Sequence, residues 1–452
     1  MSKLLRYISF VFVLFLLSAS SINAQYRINR SAGELVLGSP EEVGVDGEIL
    51  SQEISKIMTE AIDSMAFPGA QVLLAKGGIV FYKSSFGFHT YDSLRKVQDS
   101  DLYDLASVTK VTAATLALMK LYDEGLFDLD QTFGYYFPKI AKGDKAELRI
   151  REILAHQAGL KAWIPYWSES QRKNGKWRWN TVKTDSSRRF PTRLEGTGLF
   201  LHKDFKEKKI YKMIRKSEVS EDKKYLYSGL FFYLIPELVE RLSGVEYEEY
   251  LNNNFYQPLY AETLSFNPTD RFSLNRIVPT ENDTFFRQAQ LQGVVHDEGA
   301  AMMLGVSGNA GLFSNSMDLA KVYQMLLNEG KYGTTQYLKA ETVKEFTSVQ
   351  FPENDNRRGL GFDKPLLEYN ERVSSVAKDA SPESYGHTGY TGTLVWADPA
   401  NDLLFIFLSN RVYPTRNNSK IYSLNVRPNI HNLVYELLRI GGGTYTIGTH
   451  WE

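Results

Sequence analysis

The stretch "DLYDLASVTKVTAATLALMKLYDEGLFDLD" runs from Asp101 to Asp130, and the rest of the chain is read from it. Its apolar residues recur at helical spacing, as on an amphipathic helix. Near its start stand Ser107, Val108, Thr109 and Lys110. Residues three apart share a helix face, so this spacing sets a hydroxyl beside an amine. A serine hydroxyl is a poor nucleophile until a base takes its proton. A lysine can do so when burial or a neighbouring cation lowers its pKa. The first turn of a helix also offers free N–H groups that can stabilise an oxyanion. Ser-x-x-Lys arises by chance in many chains, as two polar residues at the wet end of a helix. The pair therefore takes its meaning from what surrounds it.

The chain has 452 residues, no Cys and a net charge of −1. Without Cys there are no disulfides, no thiol catalysis, no Cys-bound zinc and no Cys-linked lipid anchor. The balanced charge gives no reason to expect nucleic acid. Lys3 and Arg6 precede an apolar run from Ile8 to Leu17, and small and polar residues lead to "SINAQ". This is the layout of a cleavable secretory signal, with cleavage after Ala24. The expected location is exported, periplasmic or secreted, with no integral membrane span after cleavage. The apolar run is short for a span, and an uncleaved anchor is the alternative.

Each end of the chain offers a helix and a hairpin. Residues 48–66 carry a helical pattern, broken by "FPGA" at Phe67–Ala70. "QVLLAKGGIVFYKSSFG" then reads as two strands about Gly77-Gly78. Near the other end, Thr393–Ala397 and Leu403–Leu408 flank a turn at Asp398–Asn401, and "NIHNLVYELLRI" reads as a helix. The economical fold is α+β: an antiparallel sheet built from both chain ends, flanked by helices, with an inserted mainly helical region. The expected divisions are a signal (1–24), an N-terminal extension (25–39), one domain (40–441) and a tail (442–452). Within the domain, 40–105 and 380–441 make the sheet region and 106–379 the helical one. Lys161–Lys224 holds 18 Lys/Arg against 8 Asp/Glu, an excess of +10, and four of the six Trp (Trp163, Trp167, Trp177, Trp179). It reads as a solvated insertion or as a lid contacting an anionic or amphipathic substrate.

Two further motifs carry chemistry. Tyr227-Ser228 stands ahead of an apolar helical run, where a tyrosine near a lysine can relay protons. His387-Thr388-Gly389 precedes a strand, and a Gly-rich strand edge admits a substrate to the backbone. Taken singly, each has a common structural reading, a core aromatic and a structural histidine.

The order of the three motifs resembles that of the penicillin-recognising serine hydrolases: class C β-lactamases, D-alanyl-D-alanine carboxypeptidases and related esterases. The resemblance runs from about Pro40 to Leu438. It includes "FPGAQVLLAKGGIVFYKSSFG", the Ser107 helix, "LRIREILAHQAGL" around His156 and Gly159, and "GNAGLFSNSMDLAKVYQMLLNEG". It implies a β-lactamase/transpeptidase-like fold with Ser107 as the acylated nucleophile. Lys110 would orient and deprotonate it, and Tyr227 would act with Lys110 as general base. The backbone N–H groups of Ser107 and Tyr390 would form the oxyanion hole. His387 would help to hold a substrate carboxylate or assist proton transfer, and Thr388 and Gly389 would contact substrate.

Two departures narrow this. The family's Tyr-x-Asn is Tyr227-Ser228-Gly229 here, so the amide that meets an acylamide side chain is missing: either another residue supplies it, or the register shifts to Tyr225. His-Thr-Gly stands where class C β-lactamases carry Lys-Thr-Gly, and a neutral His holds a carboxylate less strongly. The expected function is hydrolysis of an amide or ester, of carboxypeptidase or carboxylesterase type, on a small molecule or a peptide derived from the cell wall. The alternatives are a weak β-lactamase and a slow-turnover penicillin-binding sensor. No cofactor is expected. Adjacent His296, Asp297 and Glu298 have poor spacing for metal ligands, so no metal is expected. They line the cleft or tie loops, as do Arg357, Arg358 and Asp363, while Asn410 and Arg411 brace the site from behind.

Overall fold

The computed structural model describes residues 33–440, and everything structural below concerns them. The signal of residues 1–24, the start of the extension and the tail of 442–452 lie outside the described residues. Six strands form the central sheet: β1 (Val36–Leu37), β2 (Gly69–Lys76), β3 (Ile79–Gly87), β4 (Tyr385–Thr388), β5 (Leu394–Asp398) and β6 (Leu403–Ser409). Their order is β1-β3-β2-β6-β5-β4, antiparallel except for the short parallel pair β1–β3. Both hairpins expected from the sequence are present. Gly77 and Gly78 turn the first with φ of 57° and 77°, values that an L-residue adopts only with strain. The two chain ends meet at β2–β6, where Leu403 pairs with Lys76 and Ser409 with Ala70.

The central strands are buried on both faces, which is why β2 and β6 read as continuous apolar runs rather than as alternation. Val72, Leu74, Phe405 and Phe407 point to one side, where helices α1 (Gly47–Asp63) and α5 (Val426–Ile440) cover them. Leu73, Ala75, Leu404 and Ile406 point to the other, into the larger core. That core holds α2 (Thr115–Asp123), α3 (Ile235–Ser243) and α4 (Ser316–Leu327).

The Ser107 stretch corrects the amphipathic reading. A single 3₁₀ turn spans Ala106–Val108, a widened turn follows at Lys110–Ala114, and only then does α2 begin. Val108 to Met119 are buried without exception, so this helix is apolar on every side because it runs through the core. The strand assignment near His387 is extended. The His387 motif does precede a strand, β5, and Tyr385–Thr388 is in addition a strand itself, the edge of the sheet, pairing His387 with Val395 and Thr388 with Leu394. The inserted region carries small sheets besides helices, among them Val182–Lys183, Thr192–Leu194 and Leu199–Leu201 in the basic Trp-rich segment. Among the described residues, no helix is long and apolar enough to cross a membrane.

Candidate active site

Ala106, immediately before Ser107, has φ of +46°, a costly conformation for a residue with a Cβ. Three sets of contacts hold it. Asp104 Oδ1 accepts from the Ala106 amide at 2.8 Å, and Oδ2 accepts from the His296 amide at 2.7 Å. Thr391 Oγ1 donates to the Asp104 carbonyl at 2.7 Å, and Thr393 Oγ1 to the Leu105 carbonyl at 3.0 Å. The Leu105 amide donates to the Leu312 carbonyl at 3.0 Å. The β4–β5 turn thus lies directly on the Ser107 segment. Gly389 permits it: a Cβ there would stand 2.5 Å from the Leu105 carbonyl and strike Thr393 Oγ1. Burial pushes the Asp104 carboxyl above its ordinary pKa despite the His296 amide.

Lys110 Nζ donates to Ser107 Oγ at 3.0 Å and to the Asn309 backbone carbonyl at 2.9 Å. The side chain is almost wholly buried, and no carboxylate among the described residues pairs with it. Its Nζ stands 5.3 Å from the centre of the Tyr227 ring and 5.6 Å from that of Phe232. The Tyr227 hydroxyl is sealed from solvent with no hydrogen-bond partner. Tyr225, the alternative register, points elsewhere: its hydroxyl accepts from Arg358 Nε at 3.2 Å. The geometry therefore sets Tyr227 beside Lys110. The backbone N–H groups of Ser107 and Tyr390 donate to no acceptor among the described residues, which leaves both free for an oxyanion.

His387 is 3 % exposed and does not line the cleft. Its Nδ1 lies 2.7 Å from the Thr388 carbonyl, so Nδ1 carries the proton and Nε2 is left as a buried acceptor without a partner. Its ring is 5.8 Å from that of Tyr227. Burial, then the charges of Arg358 and Lys110, push its pKa down to about 3. A neutral, buried imidazole that does not line the cleft is poorly placed to hold a substrate carboxylate. His156 lies on the same ring, 4.6 Å from Tyr227, with Nδ1 accepting the Ser228 amide at 3.2 Å. Behind them Arg358 stacks over Tyr227 at 5.2 Å and is shared with Asp363 and Tyr225.

A cleft of about 400 Å³ opens over Ser107. Ser107, Lys110, Tyr227, Gly229 and Tyr390 line it as the sequence suggests; Thr388 and Gly389 do not. Arg411 braces Tyr390 from behind, with Nε donating to its carbonyl at 2.8 Å and the guanidinium 4.5 Å from its ring. Of the four Trp in the basic insertion, Trp163 reaches the cleft. Trp167 and Trp177 pack on Phe285 and Phe286 instead, and Trp179 stays exposed. Residues that sequence reasoning missed include Asn309, Tyr233 and Arg416. Asn309 Nδ2 donates to the Tyr233 hydroxyl at 3.2 Å, and that hydroxyl donates to Asp297 Oδ1 at 3.2 Å. Burial pushes Glu281 up, but hydrogen bonds from His296 and Arg416 outweigh it and hold the carboxyl well below its ordinary range. No group of three or more metal-ligating side chains able to hold an ion occurs among the described residues.

The family model described as Beta-lactamase matches residues 54–425, which include every motif above. The chain belongs to the β-lactamase family. Within this serine hydrolase family the chain is 31 % identical over 406 residues to a protein of Escherichia coli (strain K12) named "Putative D-alanyl-D-alanine carboxypeptidase". That match covers 83 % of this chain and 86 % of the relative. Among solved structures, EstCE1, a hydrolase with promiscuous acyltransferase activity, shares the fold with a TM-score of 0.59 at 17 % identity. It covers 84 % of this chain and 98 % of its own. The octameric penicillin-binding protein homologue from Pyrococcus abyssi gives a TM-score of 0.59 at 16 % identity, covering 84 % and 78 %. The β-lactamase/transpeptidase-like fold inferred from the order of three motifs is the fold of these neighbours.

Proposed function

We propose that this β-lactamase family member is an exported serine hydrolase that cleaves an amide or ester through an acyl-enzyme on Ser107. The observation that carries the reading is the 3.0 Å contact between Ser107 Oγ and a buried Lys110 that no carboxylate neutralises, beside Tyr227. In this reading Ser107 Oγ attacks the carbonyl carbon while its proton passes to the Lys110–Tyr227 pair. The developing oxyanion is held by the amides of Ser107 and Tyr390. The leaving amine or alcohol takes the proton, and the C–O bond to Ser107 remains. Water, deprotonated by the same pair, then attacks the acyl carbon and restores the Ser107 hydroxyl. Neutral His387 offers Nε2 as an acceptor behind Tyr227. The relative's name favours a carboxypeptidase acting on a cell-wall-derived peptide, and the EstCE1 likeness in fold is compatible with an ester. The N-terminal signal pattern supports export.

A fluorophosphonate should add one phosphonyl group to Ser107, and nitrocefin, a D-Ala-D-Ala peptide and short nitrophenyl esters should rank the substrates. Ser107→Ala should lower turnover at least about 10³-fold, and Tyr227→Phe by about 10²–10⁴ in acylation. Labelling that survives Ser107→Ala would end this reading. A second reading, a slow-turnover penicillin-binding sensor, is favoured by Gly229, which removes a substrate contact. An acyl-enzyme that persists for hours supports the sensor; release within a second supports the hydrolase.

A further inference from the structure

Apart from Lys110 beside Ser107, the charged groups lining the cleft are His296, Asp297, Glu298 and Arg416, and they are not all paired. Arg416 donates through Nε to Glu281 Oε1 at 2.8 Å and through Nη1 to Glu298 Oε1 at 2.7 Å. His296 Nε2 lies 2.8 Å from the other oxygen of Glu281. Arg416 thus compensates Glu281 and Glu298, with His296 on the same carboxylate as Arg416 at Glu281. Asp297, on the same wall, forms no ion pair with any Lys, Arg or His among the described residues. Its Oδ1 accepts from the Tyr233 hydroxyl at 3.2 Å and from the Ala300 amide at 2.7 Å. Its Oδ2 accepts from no donor among the described residues and is not one of the fully buried atoms left without a partner. Among the described residues that line the cleft, Asp297 is thus a carboxylate without a cationic partner, whereas Glu298 has Arg416.

The same cleft lacks a side chain where the Tyr motif would supply an amide. Gly229 lines it, and a Cβ added there would meet nothing within 4 Å. The rings of Trp163, Tyr233 and Tyr390 border the space. An unpaired carboxylate oxygen with aromatic rings about it suits a protonated amine. The carboxylate compensates the charge, and ring faces attract a cation. A neutral acylamide would leave the carboxylate without a partner.

We infer that Asp297 recognises a protonated amino group carried on the acyl portion of the substrate, a few atoms from the carbonyl carbon. This rests on the reading of Ser107 as the acylated residue. Fixed contacts join the two positions. Asp297 Oδ1 meets the Tyr233 hydroxyl, which meets the Asn309 side chain, and the Asn309 carbonyl holds Lys110 Nζ beside Ser107. The recognising oxygen is therefore held at a set distance from the reacting one, so the length of the aminoacyl group should matter. Asp297 also caps the four-residue helix Glu298–Ala301, but that task uses Oδ1 alone.

The test compares pairs of nitrophenyl esters in which an ammonium replaces a methyl group of the same size. Glycinate is set against propanoate, and 3-aminopropanoate against butanoate, at pH 6.5. Each kcat/KM is divided by the ester's own rate without enzyme, and Ser107→Ala supplies the background. At least one aminoacyl ester should exceed its partner by about tenfold or more, as expected for a charge-assisted contact. In Asp297→Asn, which can still cap the helix, that ratio should fall to about one, and Asp297→Glu should recover part of it. Cleavage of all four esters with a ratio near one in the unaltered protein overturns the inference and leaves Ser107 as the reacting residue. A ratio unchanged in Asp297→Asn overturns the inference as well. Failure to cleave any of the four above background overturns the inference, and the reading of Ser107 falls with it if Ser107 also escapes fluorophosphonate labelling.

Discussion

At the scale of single residues, two glycines of the site answer to opposite demands. Gly389 is required by contact. Gly389→Ala drives a methyl group into the Leu105 carbonyl and the Thr393 hydroxyl, the groups that press the β4–β5 turn onto the Ser107 segment. The cost expected is about 1–3 kcal/mol, with a lower Tm and loss of fluorophosphonate labelling in the same variant. Gly229 is required by nothing around it. Gly229→Asn should change stability by less than about 0.5 kcal/mol in urea melts. It should speed acylation by penicillins bearing an acylamide side chain, because it restores a hydrogen-bonding amide. Unaltered penicillin reactivity would mean that the missing amide is not what sets the substrate class. Ser107, Lys110 and Tyr227 were legible in the chain because local spacing and motif order mark them. Asn309 acts on Lys110 through a backbone carbonyl, which any residue possesses, and so leaves no trace in the sequence. Asp297 was visible as a charge, but only the pairing of Arg416 with its neighbours singles it out.

At the scale of elements, helix α5 and strand β4 each bury a histidine that cannot readily be charged. His431 of α5 lies against Phe405 and Tyr435, with Nδ1 accepting the Ala377 amide at 3.1 Å. Burial pushes its pKa down to about 3, as it does for His387 on β4. In the unfolded chain each histidine takes up a proton near pH 6.5, whereas in the folded chain it does so only near pH 3. The stability they confer is therefore complete above pH 6.5 and is lost as pH falls toward 3, by up to about 1.4 kcal/mol per pH unit per histidine. Tm measured from pH 7.5 down to 4.5 should fall, and His431→Gln, which keeps an acceptor for Ala377, should flatten that fall. For the same reason, kcat/KM between pH 5 and 8 should show no inflection due to His387. The hairpins were readable because β-rich runs about Gly-Gly and Asp-Pro-Ala-Asn turns are local signals. The edge strand at Tyr385–Thr388 was not, because four residues that include Gly386 and run into Gly389 gain strand geometry only by pairing with β5. The burial of the Ser107 helix on all sides was equally hidden, since a run of Val, Thr and Ala fits either a half-exposed or a central helix.

At the scale of the molecule, the site draws on segments far apart in the chain: Ser107 and Lys110, Tyr227, Asn309, and the turn at Tyr390. Refolding from urea should therefore show helical circular dichroism returning before labelling of Ser107 does, with labelling confined to the last kinetic phase. Simultaneous recovery of both signals would contradict this. The general plan, a sheet made by both ends around an inserted region, could be read because each end repeats a helix-and-hairpin pattern. The cleft wall could not, because it is built from loops whose positions depend on the whole chain. The meeting of β2 with β6 has one more consequence, for synthesis on the ribosome. Lys76 bonds to Asn401, 325 residues later. At roughly 5–20 residues per second, the first hairpin emerges about 15 s to a minute before its partner exists. Throughout that interval β2 presents a bare, apolar edge able to pair with another nascent chain. The first hairpin is thus the part of the newborn chain most in need of a holding factor, long before the cleft over Ser107 is assembled.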